Sequence, residues 1–541
     1  MTLLLALMSC ATEPEPVDTT VALLSPRQQL TRASVDLRGV HPSEDELAAI
    51  EADPVLYADF VDRYLDDPRF LDRVEQIVAD QYLTRTGETY FDPTEAGLGG
   101  YPAASVADSV GDEPIQLARY VVENDLAWSE MVLANHTMAD PVLAAMWDLE
   151  LWDPDATDWG PASYTDGRPH AGVLSMTTLW LRYPSSGVNA NRHRANAVSR
   201  ILLCDDYLAR PVSFSRSQID ALTSGDPEQV IADTPTCQSC HASMDPLAAH
   251  FFGFWWEVEG GLEDQTLYRP EDESLYLDHS GRAPAYHGRP TADLADLGTL
   301  IAEDPRYLDC ATEVFWTGMT QRPATAADWD ELATHRAAFV DADQSIKELV
   351  RSVVTSDNYL AHSTSDDALA ERLITVKTVS PEQLASIVFD KTGYRWTFAD
   401  REGLVDNAGG LRVLSGGIDS RDVTVRSHDP SVGLVLVQER LAWSAAWHVV
   451  QHDLDPERTD DAVLLRYVTS ETTPEGDPDA FEAQVRSLYL ELTGHPLAVD
   501  AREPSLQAQL WEEVFSVTGS TDQAWASVLS VVLRDPHLLF Y

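Results

Sequence analysis

Ala33-Ser-Val-Asp-Leu-Arg-Gly39, then Pro42, the acidic stretch Glu44 to Glu51, and Val61-Asp-Arg-Tyr-Leu-Asp-Asp-Pro68-Arg-Phe-Leu71 set out a pattern that returns twice. A second copy runs from Phe315-Trp-Thr-Gly318 with Pro323, through Asp328-Trp-Asp-Glu-Leu332, to Leu349-Val-Arg-Ser-Val-Val-Thr-Ser-Asp357-Asn-Tyr-Leu360. The third goes from Leu488-Tyr-Leu-Glu-Leu-Thr-Gly494 with Pro496 to Val528-Leu-Ser-Val-Val-Leu-Arg-Asp-Pro536-His-Leu-Leu539. Each reads as an apolar helix, a glycine turn, a short acidic helix, and a helix that stops at an Asp or Pro cap before two large apolar residues. Glycine supplies the C-cap because it enters the left-handed region without strain, and proline starts the next helix because its missing N–H costs nothing there. Three divergent copies so far apart predict separate helical hairpins, not a solenoid.

Outward from these copies the pattern stays helical. Leu117 to Leu133 and Asp140 to Leu151 carry apolar residues at three-four spacing, and Ser380-Pro-Glu-Gln383 is a capping box ahead of Leu384-Ala-Ser-Ile-Val-Phe389. Ser224 to Thr236 and Gly260 to Pro290 read as loop, and Gly403 to Leu436 as a small hairpin or irregular insertion. The expected fold is mainly α and multidomain, with long loops. A signal remnant (1–10) and a linker (11–25) precede an N-terminal helical domain (26–155), a central module ending in a helical hairpin (156–365) and a C-terminal helical domain (366–541).

Against 37 Lys plus Arg stand 89 Asp plus Glu, a formal charge of −52. A polyanion is repelled by such a surface, so no nucleic-acid partner is expected. Only Lys347, Lys377 and Lys391 are lysines, which leaves no basic stripe for phosphate or anionic lipid. At 44% hydrophobic the chain is too apolar to be disordered.

Leu7-Met8-Ser9-Cys10 closes a short apolar run and reads as a bacterial lipobox, with Cys10 the lipid-bearing residue. No basic segment precedes it and Met8 is large for its position, so a start codon upstream is expected. The chain is then exported and held in the cell envelope by lipid alone, at the outer membrane and facing periplasm or exterior. No other apolar run approaches the ~18 residues of a membrane span.

Cys237-Gln-Ser-Cys240-His241 carries the strongest chemical signal. A c-type haem needs two thiols one helical turn apart for its vinyl groups and a histidine next in sequence for the iron. Zinc fits less well, since no second Cys pair or His-x₃₋₅-His follows. A thioredoxin-like dithiol would need a βαβ setting. The axial ligand opposite His241 is open: Met244 sits on the same local turn, and His250, Met176, Met319, His279 and His287 are weak candidates, each of them equally readable as core or surface. A five-coordinate iron is a further option. Phe251-Phe252-Gly253-Phe254-Trp255-Trp256 reads as a haem wall, with Phe251, Trp255 and Trp256 its main members, or as ordinary core. The remaining pair, Cys204 and Cys310, suggests a disulfide in an exported protein, or else two separate buried thiols.

Residues 170–322 resemble the haem modules of planctomycete- and myxobacterial-type cytochrome c-like proteins. The matching stretches are Gly172 to Ser175, Asn189 to Asn196 leading to Cys204, Cys237-Gln-Ser-Cys-His-Ala-Ser-Met-Asp-Pro246 with Gly253 and Trp255, Asp278 to Gly281, Gly288, and Phe315 to Arg322 after Cys310. Leu247-Ala-Ala-His250 departs from that pattern. The resemblance implies that Cys204 and Cys310 are paired, and that similar helical units flank the haem module.

No other catalytic constellation stands out: there is no Gly-x-Ser-x-Gly elbow, phosphate-binding glycine loop or His-Glu-x-x-His. The function expected is electron transfer through one covalent haem c, with a redox partner that offers a basic docking face. A helical envelope scaffold with a structural haem, or a peroxidase-type haem enzyme, are the alternatives. Because salt screens self-repulsion over a Debye length of ~8 Å or less, the melting temperature is expected to rise with NaCl up to seawater-like strength. A flat response in differential scanning calorimetry would contradict that.

Overall fold

The computed structural model describes residues 21–541 except 90–92, 95–97, 214, 225–226, 255–267 and 399–400. It is mainly helical, and the long helices are numbered in chain order. Helix α1 (Pro26–Arg38) opens with a Ser25/Gln28 capping box and closes on Gly39 at φ 69°. It is followed by α2 (Glu44–Ala52), α3 (Tyr57–Leu65) and α4 (Pro68–Tyr82). Pro42 does not start α2. Ser43 does, since its hydroxyl accepts from Glu46 N–H while the Glu46 carboxylate accepts from Ser43 N–H.

Helix α5 (Ala103–Glu123) begins well before the expected Leu117 and ends before Leu133. Gly111 and Pro114 lie inside it, and both look like breakers in sequence. Proline removes the helical partner of the carbonyl four residues back, but the Thr178 hydroxyl donates to that carbonyl, Val110 O, at 2.7 Å. At Gly111 a Cβ would stand 3.0 Å from Thr84 O, so glycine admits the neighbouring backbone. Asp140 caps a separate short helix, Pro141–Trp147.

The central part contributes α6 (Arg192–Leu203), α7 (Pro235–Ala248), α8 (Pro305–Thr320), α9 (Trp329–Asp341) and α10 (Ile346–Val354). Ser224 to Thr236 is not loop: short helices Arg216–Ser224 and Pro227–Asp233 lead into α7, whose first residue is Pro235. Its proline content is helix-start chemistry. Of Gly260 to Pro290 the described part holds a 3₁₀ turn (Pro270–Leu275), a helical turn (Tyr276–His279) and a two-residue hairpin, Ala285–Tyr286 with Arg289–Pro290. Gln321 at φ 58°, not Gly318, caps α8. Gly318 lies inside the helix, where a Cβ would stand 2.8 Å from Ile77 Cδ1 of α4.

The C-terminal part comprises α11 (Pro381–Thr392), with the Ser380/Gln383 capping box, α12 (Val432–Asp453), α13 (Pro478–Thr493) ending on Gly494, α14 (Glu503–Thr518) and α15 (Thr521–Val532). Between α11 and α12 stand a tight hairpin, Thr397–Phe398 with Arg401–Glu402, and irregular backbone. One apolar core runs from Leu30 to Leu360, and a second from Val379 to Leu539 also takes in Val35 of α1. Strands are few and short; Val21–Leu23 pairs antiparallel with Ala361–Thr364. Among the described residues no helix is long and apolar enough to cross a membrane.

His41, just after α1, is 5% exposed and neither ring nitrogen has a hydrogen-bond partner among the described residues. Burial first, then the nearby Lys391, His495 and His537, pulls its pKa down to about 3. The unfolded chain takes up this proton near pH 6.5, which the folded chain refuses until far lower pH. Stability is therefore whole above pH 6.5 and drains as pH falls. By pH 5 the loss from His41 is on the order of 2 kcal/mol, and urea titrations of His41→Leu are expected to show a shallower slope between pH 7 and 5 than the parent.

Candidate functional site

Cys237, Cys240 and His241 all lie on α7, and the three- and four-residue spacings put them on one helix face. Cys237 is buried and Cys240 half-buried, and neither is in a disulfide. His241 Nδ1 lies 2.9 Å from Asp245 Oδ1, one turn further along. A carboxylate can only accept, so Nδ1 carries the proton and the Nε2 lone pair is left free. No partner meets Nε2 among the described residues.

Asp245 is only 3% exposed. Arg192, the first residue of α6, donates from Nε to Oδ1 at 2.8 Å and from Nη2 to Oδ2 at 3.3 Å. Burial alone would raise the Asp245 pKa, but the bonds from His241 and Arg192 outweigh it and hold the carboxyl below its usual range. Asp245 thus stays an anion beneath the imidazole. At the other end of α6, Cys204 takes φ 51° and forms a disulfide with Cys310 of α8, Cα–Cα 5.2 Å. Helix α6 is a strut with one end on the site and the other bolted to the main core.

Within the first turn of the strut, Arg194 is fully buried, and burial pulls its pKa down to about 9. Its Nη1 donates to Phe254 O at 2.7 Å and Phe251 O at 3.2 Å, serving carbonyls that the 3₁₀ segment after α7 leaves open. Phe251 is buried against Trp180, ring centroids 4.5 Å apart, and Trp180 also meets Phe254 at 5.7 Å. Arg168 binds Asp166, whose other work is to accept Tyr268 N–H at 2.9 Å. Tyr268 lies over Gly253. Trp255, Trp256 and Cys10 lie outside the described residues.

The candidate distal ligands differ: His250 is engaged on both ring nitrogens, Met176 and Met319 are buried in core, and His279 and His287 pack against an aromatic ring. His250 Nδ1 faces Leu247 O at 2.9 Å and Nε2 faces Thr291 Oγ1 at 2.5 Å, so neither nitrogen is spare; burial lowers its pKa to about 4. Met176 and Met319 are fully buried among the side chains of the main core. His279 packs on Phe252 and His287 on Tyr286. Met244 shares the face of α7 with His241 and packs against the main core. Among the described residues no group of three or more His, Cys, Asp or Glu could hold a metal ion by itself. Two thiols outside any disulfide and one imidazole with a free Nε2 suit instead a group that brings its own equatorial ligands and needs the protein for attachment and one axial bond.

Asp245 and Arg192, which hold His241 in place, are the partners that the motif alone does not name. The i, i+4 relation of His241 and Asp245 was a readable signal, since such pairs meet on a helix; Arg192, distant in sequence, had none. Elsewhere a cavity of about 420 Å³ between α4, α8 and residues 424–428 is lined by Arg73, Asp80, Glu313, Arg322, Arg426 and His428. It contains no residue of the Cys237–His241 motif. No family model, curated protein or solved structure matches the chain.

A Cβ on Gly253 would fall 2.3 Å from Tyr268 Cε2. Gly253→Ala is therefore expected to destabilise the protein by about 1–3 kcal/mol. Urea unfolding reads this directly, and an unchanged midpoint would show that Tyr268 does not pack there.

Proposed function

We propose that the chain is a mono-haem, c-type cytochrome-like lipoprotein of the cell envelope that exchanges electrons with a redox partner. The observation that carries this reading is the single helix face of Cys237, Cys240 and His241, with Nδ1 engaged by Asp245 and Nε2 left to bind. Cys237 and Cys240 would hold haem c by thioether bonds and His241 would ligate the iron. The haem, when bound, supplies a one-electron couple.

The chain's own residues do the rest. Asp245 fixes the tautomer and the ring plane of His241, and Arg192 fixes Asp245. Arg194 and the Trp180, Phe251, Phe254 cluster make the backbone after α7 rigid, so that the helix face is presented in one orientation. Trp255 and Trp256 keep their sequence-based place as further walls. The likeness of residues 170–322 to planctomycete- and myxobacterial-type cytochrome c modules supports the same cofactor. Anchoring at Cys10 would leave the chain facing periplasm or exterior, held to the membrane by lipid only, and the charge of −52 favours a partner with a basic docking face.

Expression with a cytochrome c maturation system is expected to give a haem-stained band on denaturing gels and a c-type pyridine haemochrome spectrum. Removing both thiols, Cys237→Ala with Cys240→Ala, is expected to abolish the stain. An unstained parent protein, folded and of full length, would sink the proposal.

A further inference from the structure

The same site carries a statement about the electronic state of the cofactor, and it rests on the haem reading above. The Nδ1–H of His241 is given to a whole carboxylate, not to a neutral carbonyl. Hydrogen bonds to an ionised acceptor are about twice as strong as neutral ones, and at a metal-ligating histidine they raise the basicity of the other nitrogen. Asp245 is nearly shut off from solvent, so water screens its charge little. Arg192 Nε and His241 Nδ1 converge on the same oxygen, Oδ1, at 2.8 and 2.9 Å. Both donors draw on the negative charge of one oxygen, so the guanidinium weakens what that oxygen offers the imidazole.

We propose that Asp245 is a positioning residue which, through its bond to His241 Nδ1, pushes electron density toward the iron and holds the haem oxidised, and that Arg192 moderates this push by sharing Oδ1. The centre is thus a low-potential one, suited to giving electrons to its partner. Buried negative charge beside the proximal ligand favours the ferric state, and hydrogen bonding to the axial ligand is one of the levers by which proteins set haem potentials. The geometry gives the two residues opposite signs. Loss of Asp245 must raise the midpoint potential and loss of Arg192 must lower it, whereas loss of mere packing would move both the same way.

The test uses the full chain matured with covalent haem, checked first by pyridine haemochrome. In spectroelectrochemical titration Asp245→Asn is expected to favour reduction at least tenfold, about 59 mV for one electron, and Arg192→Gln to shift the couple in the other direction. If Arg192 acts through Asp245, its shift vanishes in the Asp245→Asn background; full additivity would mean that each charge acts on the haem independently. Shifts of the same sign, no shift, or additive shifts overturn the inference while leaving the cytochrome reading intact. If Asp245→Asn fails to mature, Arg192→Gln, which leaves the carboxylate in place, decides by its sign alone: a rise or no change overturns the inference. Absence of covalent haem from the parent rejects both readings together, so the two failures are told apart.

Discussion

A single carboxylate with no solvent exposure, Asp36 on α1, ties the two cores to each other. Its oxygens accept from Lys377 Nζ at 2.6 Å, Tyr359 O–H at 2.5 Å and Tyr541 O–H at 2.6 Å. Lys377 also donates to Met319 O at the end of α8, and burial pulls its pKa down to about 8. One of only three lysines in the chain is thus used where no water reaches. A buried charge without its partner costs several kcal/mol, so the helical turn after α10 (Asp357–Leu360), the segment before α11 and Tyr541 must all arrive for α1 to be tolerable where it is. The backbone seals this, since Lys377 N–H donates to Tyr541 O and Tyr541 N–H to Lys377 O. The N-terminal and C-terminal parts of the chain are thereby one folding problem.

The same device recurs at other junctions of the chain. Glu382 of α11 is buried between Arg412 and Arg426, and Arg426 reaches on to Asp80 of α4. Asp328 ahead of α9 is held by Arg322 and Arg372. Asp245 beneath His241 is held by Arg192. In each the guanidinium's planar fork engages a buried carboxylate, and arginine does this better than lysine because less conformational freedom is lost per bond. The scarcity of lysine then has a structural side: much of the positive charge serves internal junctions, and the acidic excess is left to the surface.

The helical grammar was readable because it is local. Gly39 and Gly494 cap where the glycine signal puts them, and the Ser380/Gln383 box forms as written. Where the reading missed, a tertiary contact had overruled a local rule. Pro114 is admitted inside α5 by the Thr178 hydroxyl, and Gly318 serves the approach of α4 instead of a turn. At the site the pentapeptide was legible because attachment chemistry fixes both spacing and order. The partners of His241 were legible only by halves: Asp245 follows by helix periodicity, whereas Arg192 becomes its partner through the crossing of α6 and α7, which no one-dimensional pattern encodes. His250 looked available in sequence for the same reason, and Thr291, far along the chain, closes its Nε2.

The strut α6 gives that crossing its consequence. Its first residue sets the geometry of Asp245, its third, Arg194, closes the carbonyls beyond α7, and its C-terminal end is fastened through Cys204 to Cys310 of α8. Helix α8 in turn ends beside Lys377 and the Asp36 hub. A contact network of this kind holds a site without placing it in the core: α7 itself stays partly open, its motif face supported from behind by charge and from the side by aromatic packing. For the proposed one-electron function this is the useful compromise. A redox centre must be near enough to the surface for a partner to approach, yet its ligand must not move between oxidation states, because motion adds reorganisation to every transfer. Burying the anion while leaving His241 18% exposed separates those two demands, with rigidity drawn from the strut and access from the helix face.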